Sequence, residues 1–578
     1  MKSSPDHKIK IRMIVVGLGF FLLMTVIGAK AVYLQVFCGA WLSEKAADQY
    51  EKSQVTFGKR GTIYDTSQQA MAVTIETASV AAYPARIKNV KATAKALAAT
   101  LKLKRRSVAQ KLSSAKSFVW IKRQVTPKEV AAVTRLKLDG IDFIPEHSRY
   151  YPQKTLAGQL IGFTGIDGHG LEGLEFYYDQ ELKGPIRRSK IFKDAFGRGF
   201  DSSNSATPRL AGHNLVLTLD LTIQYITEKA LEEAIKSSAA KSGMAVVMNP
   251  KSGAVLALAH YPLFNPNNFP AYQREEWRNR AVTDPFEPGS TMKIFSMAAA
   301  LESGKATANT IFFCENGTYT IGKNTIHDTR PRGWLSLQQI VKFSSNIGAV
   351  KVSELIGPET LFNTLGYFGF GRETQIDCPG ETAGSLAPFR HWSKIDAGAI
   401  AFGQGLSASA IQLVAGASAI ANDGLLMQPL VVRAITDQNG RVIKTFAPRQ
   451  IHRVIAPETA RTLRRIMTTV ITEGGTGTEA ALEEYTVCGK TGTAQKIDQQ
   501  GTYDENKFIA SFIGFAPAES PEIAVLVVID EPMNGHYGGI VAAPAFRKIA
   551  QETLNYLNVP PTNQRDRLTA SKAREARG

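Results

Sequence analysis

From Met13 to Ala29 the chain reads MIVVGLGFFLLMTVIGA without a charge, and after Lys30 it continues as AVYLQVF. A run of this length spans the ~30 Å hydrocarbon core of a bilayer as one helix, with the Lys30 amine reaching for the interface. Lys2, Lys8, Lys10 and Arg12 precede it. The positive-inside bias therefore places residues 1–12 in the cytoplasm, a transmembrane helix at 13–37 and the remainder outside. A signal peptide cleaved near Ala29-Lys30-Ala31 is the rival reading, but the apolar stretch is longer than a signal core and continues past that site. Cys38 follows Val36-Phe37 rather than small residues, so lipoprotein cleavage is not expected. With no second long apolar run, the expectation is a single-pass anchor carrying an extracytoplasmic body, where ATP and NAD chemistry would be out of place.

The 578 residues leave room for two or three domains, and 44% hydrophobic with 21% charged residues is close to a globular average. The formal charge of +17 asks for an anionic partner. There is no zinc-ligand spacing and no aromatic-plus-basic signature, so nucleic acid is not expected, and an envelope polymer or phospholipid fits better. Cys38, Cys314, Cys378 and Cys488 form no CxxC pair, which argues against zinc and thioredoxin-like chemistry. A Cys314–Cys378 bridge is open, though unpaired buried thiols are the plainer reading.

Residues 38–210 are rich in Lys, Ala and Thr, with short alternating stretches such as Val73–Ile75 and Val80–Tyr83, and read as an elongated mixed α/β region. The turn-rich SSNSATPRLAG at Ser202–Gly212 marks a boundary, and a second domain is expected over 211–558. There HNLVLTLD at His213–Asp220 alternates like a half-buried strand, and Asp220 is placed to cap a helix over Thr222–Ile235. Ala245–Met248 and Ala254–Ala259 flank the Pro250-Lys251-Ser252-Gly253 turn as a hairpin. Phe508–Phe515 and Ile523–Ile529 form a second strand pair. Two apolar β-pairs around a helical middle predict an α/β (α+β) domain whose single sheet is assembled from both ends, with helices packed on it. The charged tail 559–578 is expected to be disordered.

The chemistry concentrates in Phe286-Glu287-Pro288-Gly289-Ser290-Thr291-Met292-Lys293. Pro and Gly make a turn before Ser290, and the apolar residues after it predict a helix, so Ser290 sits where free N–H groups suit a developing oxyanion. Lys293, three residues on, emerges on the same face, and an apolar pocket would leave its amine able to take the serine proton. An S-x-x-K string alone is as readily a cap beside a solvated charge. It is followed, in order, by Ser344-Ser345-Asn346 at the end of a helical stretch that starts near Ser336, and by Lys490-Thr491-Gly492-Thr493 in a strand-like segment, Tyr485–Gln495. S-x-x-K, S-x-N and K-T-G together are the signature of penicillin-recognising acyl-serine enzymes.

With these motifs the chain resembles class B penicillin-binding proteins, most closely the division-specific FtsI type (penicillin-binding protein 3). The resemblance also rests on Arg60-Gly61-Thr62-Ile63-Tyr64-Asp65, Arg149-Tyr150-Tyr151-Pro152, Gly170-Leu171-Glu172-Gly173-Leu174-Glu175, Tyr537-Gly538-Gly539 and Ala542-Ala543-Pro544-Ala545-Phe546. It implies the penicillin-recognising transpeptidase fold, a central antiparallel sheet flanked by helices, preceded by a pedestal of the dimerisation-domain type. It implies a peptidoglycan D,D-transpeptidase of the bacterial inner membrane, working from the periplasmic side on stem peptides in septal synthesis. Ser290 matches the nucleophile, Lys293 the general base, Ser344 a proton relay and Asn346 an orienting amide. Lys490 matches a source of positive potential, Thr491, Gly492 and Thr493 the carboxylate-binding strand, and the N–H groups of Ser290 and Thr493 the oxyanion hole. No cofactor is implied, β-lactams are expected as covalent inhibitors, and glycan polymerisation would fall to an FtsW-type polytopic glycosyltransferase among other divisome membrane proteins.

The family's usual Asp-Arg-x-Gly reads Asp65-Thr66-Ser67-Gln68 here, which puts the turn at that place in question. No counterpart of a deacylating glutamate is found, so fast acyl-enzyme hydrolysis is not expected. His327-Asp328 reads as a capping or packing pair rather than part of a triad, Gly403-Gln404-Gly405 as a tight turn near the cleft, and Cys488 as core. An elongation-specific transpeptidase, a D,D-carboxypeptidase or β-lactamase, and a non-catalytic β-lactam sensor or divisome scaffold remain alternatives. The pedestal argues against a simple hydrolase, and the dozen residues ahead of the anchor argue against a sensor.

Overall fold

The structure, a computed structural model, describes residues 5–42, 51–193, 199–200, 211–498 and 501–562. Most of the Ser202–Gly212 boundary segment and of the 559–578 tail lies outside the described residues. The chain divides into two compact units, one of residues 1–58 with 184–210, the other of 59–183 with 211–578. In the first, an α-helix over Pro5–Val32 runs into a wider turn at Tyr33–Phe37, and a three-stranded sheet joins Glu51–Phe57, Ile186–Lys193 and Gly199–Phe200. Among the described residues Ile9–Phe37 is the one helical stretch long and apolar enough to cross a membrane.

The second unit is organised on a five-stranded antiparallel sheet ordered Val255–Tyr261, Ser242–Met248, Ile523–Asp530, Tyr503–Ala516, Cys488–Ile497. The first two strands come from the start of the domain and the other three from its end, as the apolar pairs predict. Ser242–Met248 and Ile523–Asp530 are buried along their whole length, because helices cover both faces of the sheet. The two-residue period divides each strand between two cores. Met244, Val246 and Met248 meet the core that contains helices Lys293–Glu302 and Ala410–Ala421, while Ala245 and Val247 meet helices Leu221–Ser238 and Ala543–Tyr556. Asp220 caps Leu221–Ser238 by accepting from the N–H groups of Thr222 and Ile223.

A second sheet shows why the Asn214–Leu217 strand is buried at every position rather than half-buried. It lies between Ile63–Tyr64, which pairs with it in parallel, and Val432–Thr436, which pairs antiparallel. Val73–Ile75 and Val80–Tyr83 are not separate strands. They belong, up to Ala82, to one 13-residue strand, Ala70–Ala82, whose register shifts between Ala78 and Ala81 accommodate its pairing with Val119–Val125. That strand also pairs with Ile141–Tyr150. Two arginines tie this region together, Arg60 Nε at 2.6 Å from Glu175 Oε2 and Arg149 Nε at 2.6 Å from Glu175 Oε1.

Candidate active site

Ser290 lies in a tight 3-10 turn, Gly289–Met292, that feeds the helix Lys293–Glu302. Gly289 takes a φ of +54°, and its N–H donates to the Gly403 carbonyl at 3.0 Å, so the 403–405 segment is the tight turn that backs the nucleophile. From the other side the edge strand Cys488–Ile497 presses on the same turn. A Cβ on Gly492 would collide with Ser511 Oγ and stand 2.8 Å from Thr291 Cγ2. The glycine of K-T-G is what lets strand and turn meet.

Lys293 is wholly buried at the start of its helix. Its Nζ lies 3.0 Å from Ser290 Oγ, 2.6 Å from the Ser344 carbonyl, 3.2 Å from Ser344 Oγ and 2.7 Å from Asn346 Oδ1. Burial pushes its pKa down to about 7, against a weaker upward pull from Asp328. The Ser344 carbonyl and the Asn346 amide oxygen can only accept, and the amide is oriented by Asn346 Nδ2 donating to the His327 carbonyl at 3.1 Å. In the neutral amine these two acceptors use both N–H groups. The lone pair is then left to the hydroxyls of Ser290 and Ser344.

Ser344 closes the helix Leu337–Phe343 in the left-handed region, φ 58° and ψ 39°, a common way for a helix to end though less usual for serine than for glycine. That conformation turns both its carbonyl and its hydroxyl to Lys293. Ser345, next in sequence, faces away from the lysine. Its Oγ accepts from Gly348 N–H as the cap of helix Asn346–Ile356 and donates to Asp328 Oδ2 at 2.5 Å. Asp328 Oδ1 also accepts from the N–H groups of Asn346 and Ile347.

Lys490 is likewise buried, and its Nζ donates to Ser344 Oγ at 2.8 Å and to the Thr491 carbonyl at 2.9 Å. Burial, and then the nearby Lys293, hold its pKa well below the ordinary lysine value. Thr491 Oγ1 contacts Thr476 Oγ1 at 3.0 Å, and Thr493 Oγ1 accepts from Gly538 N–H at 3.3 Å. Because Cys488–Ile497 is the edge of the sheet, one row of its backbone groups has no strand partner among the described residues and faces outward.

The fold thus gathers Ser290, Lys293, Ser344, Asn346 and Lys490 into one hydrogen-bonded cluster, with Thr491, Gly492 and Thr493 on the adjoining strand. Comparison with known proteins gives this arrangement a family. The profile described as penicillin binding protein transpeptidase domain matches residues 243–551, and the penicillin-binding protein dimerisation domain matches 55–217. The chain is 36% identical over 544 residues to the probable peptidoglycan D,D-transpeptidase PenA of Neisseria meningitidis, covering 92% of this chain and 90% of that protein. It is 32% identical to the peptidoglycan D,D-transpeptidase FtsI of Escherichia coli, covering 94% and 91%. The crystal structure of penicillin binding protein 3 from Mycobacterium tuberculosis complexed with aztreonam superposes with a TM-score of 0.69 at 28% identity, over 88% of this chain and 98% of that one. The chain is a class B penicillin-binding protein.

As a penicillin-binding protein it keeps the turn after Asp65 without the family's glycine. Asp65 Oδ1 accepts from the N–H groups of Ser67 and Gln69, and Gln68 itself takes φ 63° in the glycine's place. The His327-Asp328 pair is a capping feature that anchors the S-x-N link. Cys488 is buried with its Sγ on the Arg464 carbonyl, and Cys314, Cys378 and Cys488 are all free thiols inside the core.

Two participants were not singled out in the sequence. Glu287 Oε1 accepts from Gly405 N–H at 2.8 Å and from Tyr503 Oη at 3.3 Å, joining the nucleophile's turn to two distant segments. Burial raises its pKa. Its place three residues before Ser290 was the available signal. Thr476 has no local signal, since only the fold brings it to Thr491.

Proposed function

We propose that this chain is a peptidoglycan D,D-transpeptidase that cross-links stem peptides through an acyl-serine intermediate in septal wall synthesis, and that β-lactams acylate the same serine. The observation that carries the reading is a buried lysine amine held near neutrality 3.0 Å from the Ser290 hydroxyl. A neutral amine there is a base matched to the working pH, and a hydroxyl beside it becomes a nucleophile.

Ser290 Oγ attacks the carbonyl carbon of the penultimate D-Ala of a donor stem while Lys293 Nζ takes its proton. The tetrahedral oxyanion rests on the N–H groups of Ser290 and Thr493, donors fixed by the turn and by the edge strand. Collapse breaks the peptide bond, and the departing D-Ala amine receives the proton by way of the Ser344 hydroxyl, which touches both lysines. The amine of a second stem then attacks the ester, losing its proton back along the same path, and Ser290 is freed. Asn346 orients Lys293 and the incoming amide. The substrate's terminal carboxylate lies by Thr491 and Thr493, and its charge favours protonation of Lys490, so that lysine supplies positive potential once substrate is bound.

The transpeptidase is assigned to residues 211–558, the pedestal to 38–210 and the anchor to 13–37, with the body on the periplasmic side of the inner membrane. The four basic residues ahead of the apolar run support that orientation. Glycan strands are supplied by an FtsW-type polytopic glycosyltransferase met through anchor and pedestal. Incubation of the full chain with lipid-linked precursor and such a polymerase, followed by digestion to muropeptides, tests the reading. Cross-linked dimers are expected. Trimmed monomers alone would identify a carboxypeptidase instead.

A further inference from the structure

The charge of +17 is unevenly distributed. Residues 84–139 contain fifteen Lys and Arg against two Asp and Glu, whereas the other 522 residues contain 53 against 49. This segment forms a lobe with its own core. Helices Val90–Leu101, Arg105–Leu112 and Pro127–Arg135 and the strand Val119–Val125 close over Ala94, Leu97, Leu101, Val108, Ile121 and Val133. Thirteen of the fifteen cations are exposed. The half-buried pair is neutralised locally, Lys122 by Glu129 at 2.5 Å and Arg123 by Glu146 and Asp167. Of the exposed cations only Lys88 has an acidic partner among the described residues, Asp139 at 3.3 Å.

Charges of one sign at this density repel and disfavour the compact state, so the fold gains nothing from them. The surface around them narrows the partner. Within residues 84–139 no large apolar side chain is exposed, and the exposed ones nearest in sequence, Ile75, Tyr150 and Ile166, lie outside the segment. A protein interface would be centred on apolar or aromatic anchors and poor in lysine, and an amphipathic helix lying in a membrane surface would carry apolar side chains to insert. A long flexible polyanion needs neither, because many interchangeable charge contacts hold it. Tyr83, Phe118 and Trp120 form a half-buried ring cluster in which Arg86 lies over the Tyr83 ring and Arg123 over that of Trp120.

We propose that this lobe is a second binding surface for the wall polymer, taking un-cross-linked glycan strands by the carboxylates of their stem peptides and so retaining the polymer outside the catalytic cleft. The choice of polymer rests on the transpeptidase reading, and the surface itself does not.

The full chain in nanodiscs of phosphatidylcholine, with its active serine first blocked by penicillin, is titrated with soluble un-cross-linked glycan strands bearing pentapeptide stems. Binding that weakens steeply with salt is expected. Together, Lys91→Gln, Lys95→Gln, Lys104→Gln, Arg105→Gln and Arg106→Gln are expected to weaken it about tenfold, as five exposed contacts of modest strength compound. The penicillin acylation rate and melting temperature of that variant should be unchanged or better. Equal binding by the variant, or by strands whose stem carboxylates have been amidated, overturns the proposal. So does transfer of the lobe's salt-sensitive binding to discs containing phosphatidylglycerol with no affinity for the strands, which would make it a lipid surface. Normal acylation without strand binding removes this inference alone, whereas failure of penicillin to acylate the chain removes the transpeptidase reading.

Discussion

The Lys490 amine lies 2.8 Å from the Ser344 hydroxyl across 146 residues of chain. That hydroxyl also stands 3.2 Å from the Lys293 amine, so a single oxygen links the K-T-G strand to the base of the nucleophile. Its neighbour Ser345 turns the other way, into the helix cap and Asp328. Adjacent serines therefore separate chemistry from stability.

Ser344→Ala is expected to slow penicillin acylation about 10²–10⁴-fold with little change in melting temperature, since proton transfer is lost and the fold is not. Ser345→Ala is expected to cost about 1–2 kcal/mol of stability through the lost cap, with acylation changed only a few-fold. Stopped-flow acylation and thermal unfolding of both variants decide this, and a reversed pattern would refute the assignment.

The depressed Lys293 pKa sets a pH dependence. Below about 7 the amine is protonated and has no lone pair, so the acylation rate should fall about tenfold per unit as pH drops from there and level off above it. A profile flat from mildly acidic to mildly basic pH would mean that another group takes the serine proton.

Glu228, buried in the helix Leu221–Ser238, accepts from Ala157 N–H at 2.7 Å and from Gln224 Nε2 at 2.8 Å. Burial raises its pKa from 4.5 to about 7. Between those values the folded chain keeps a proton that the unfolded chain releases, so stability falls as pH rises across that window and stays lower above it. Glu228→Gln, which can still accept both hydrogen bonds, should lose this slope and gain up to about 3 kcal/mol at pH 8. Unfolding midpoints on either side of the window measure it, and an unaltered slope would contradict it.

Gly492→Ala would drive a methyl group into Ser511 Oγ and toward Thr291 in the nucleophile's turn. A displacement of about 1 Å there is expected to slow acylation about 10²-fold, with a stability loss of about 1–3 kcal/mol. Wild-type acylation by this variant would show that the turn does not depend on the strand's close approach.

Much of this was legible because it is local. Ser290 and Lys293 share a turn, Asp220 announces its cap, and the apolar strand pairs at the two ends of the domain can only be buried together. The pairing of Ile63–Tyr64 with Asn214–Leu217 was not legible, since two residues of strand carry no periodicity and their partner lies some 150 positions on. The left-handed Ser344 ends its helix without the glycine that would have announced it, and the reach of Thr476 to Thr491 is made by tertiary packing and leaves no trace in composition. Gln68 in a glycine's conformation shows the opposite case, where the Asp65 carboxylate holds a turn that the residue type argues against.

The most direct measurement is to label the full chain with a fluorescent penicillin and map the modified residue by mass spectrometry. A stable ester on Ser290 is expected, lost in Ser290→Ala and slowed by Lys293 substitution. A label on any other residue, or labelling that persists in Ser290→Ala, would contradict it.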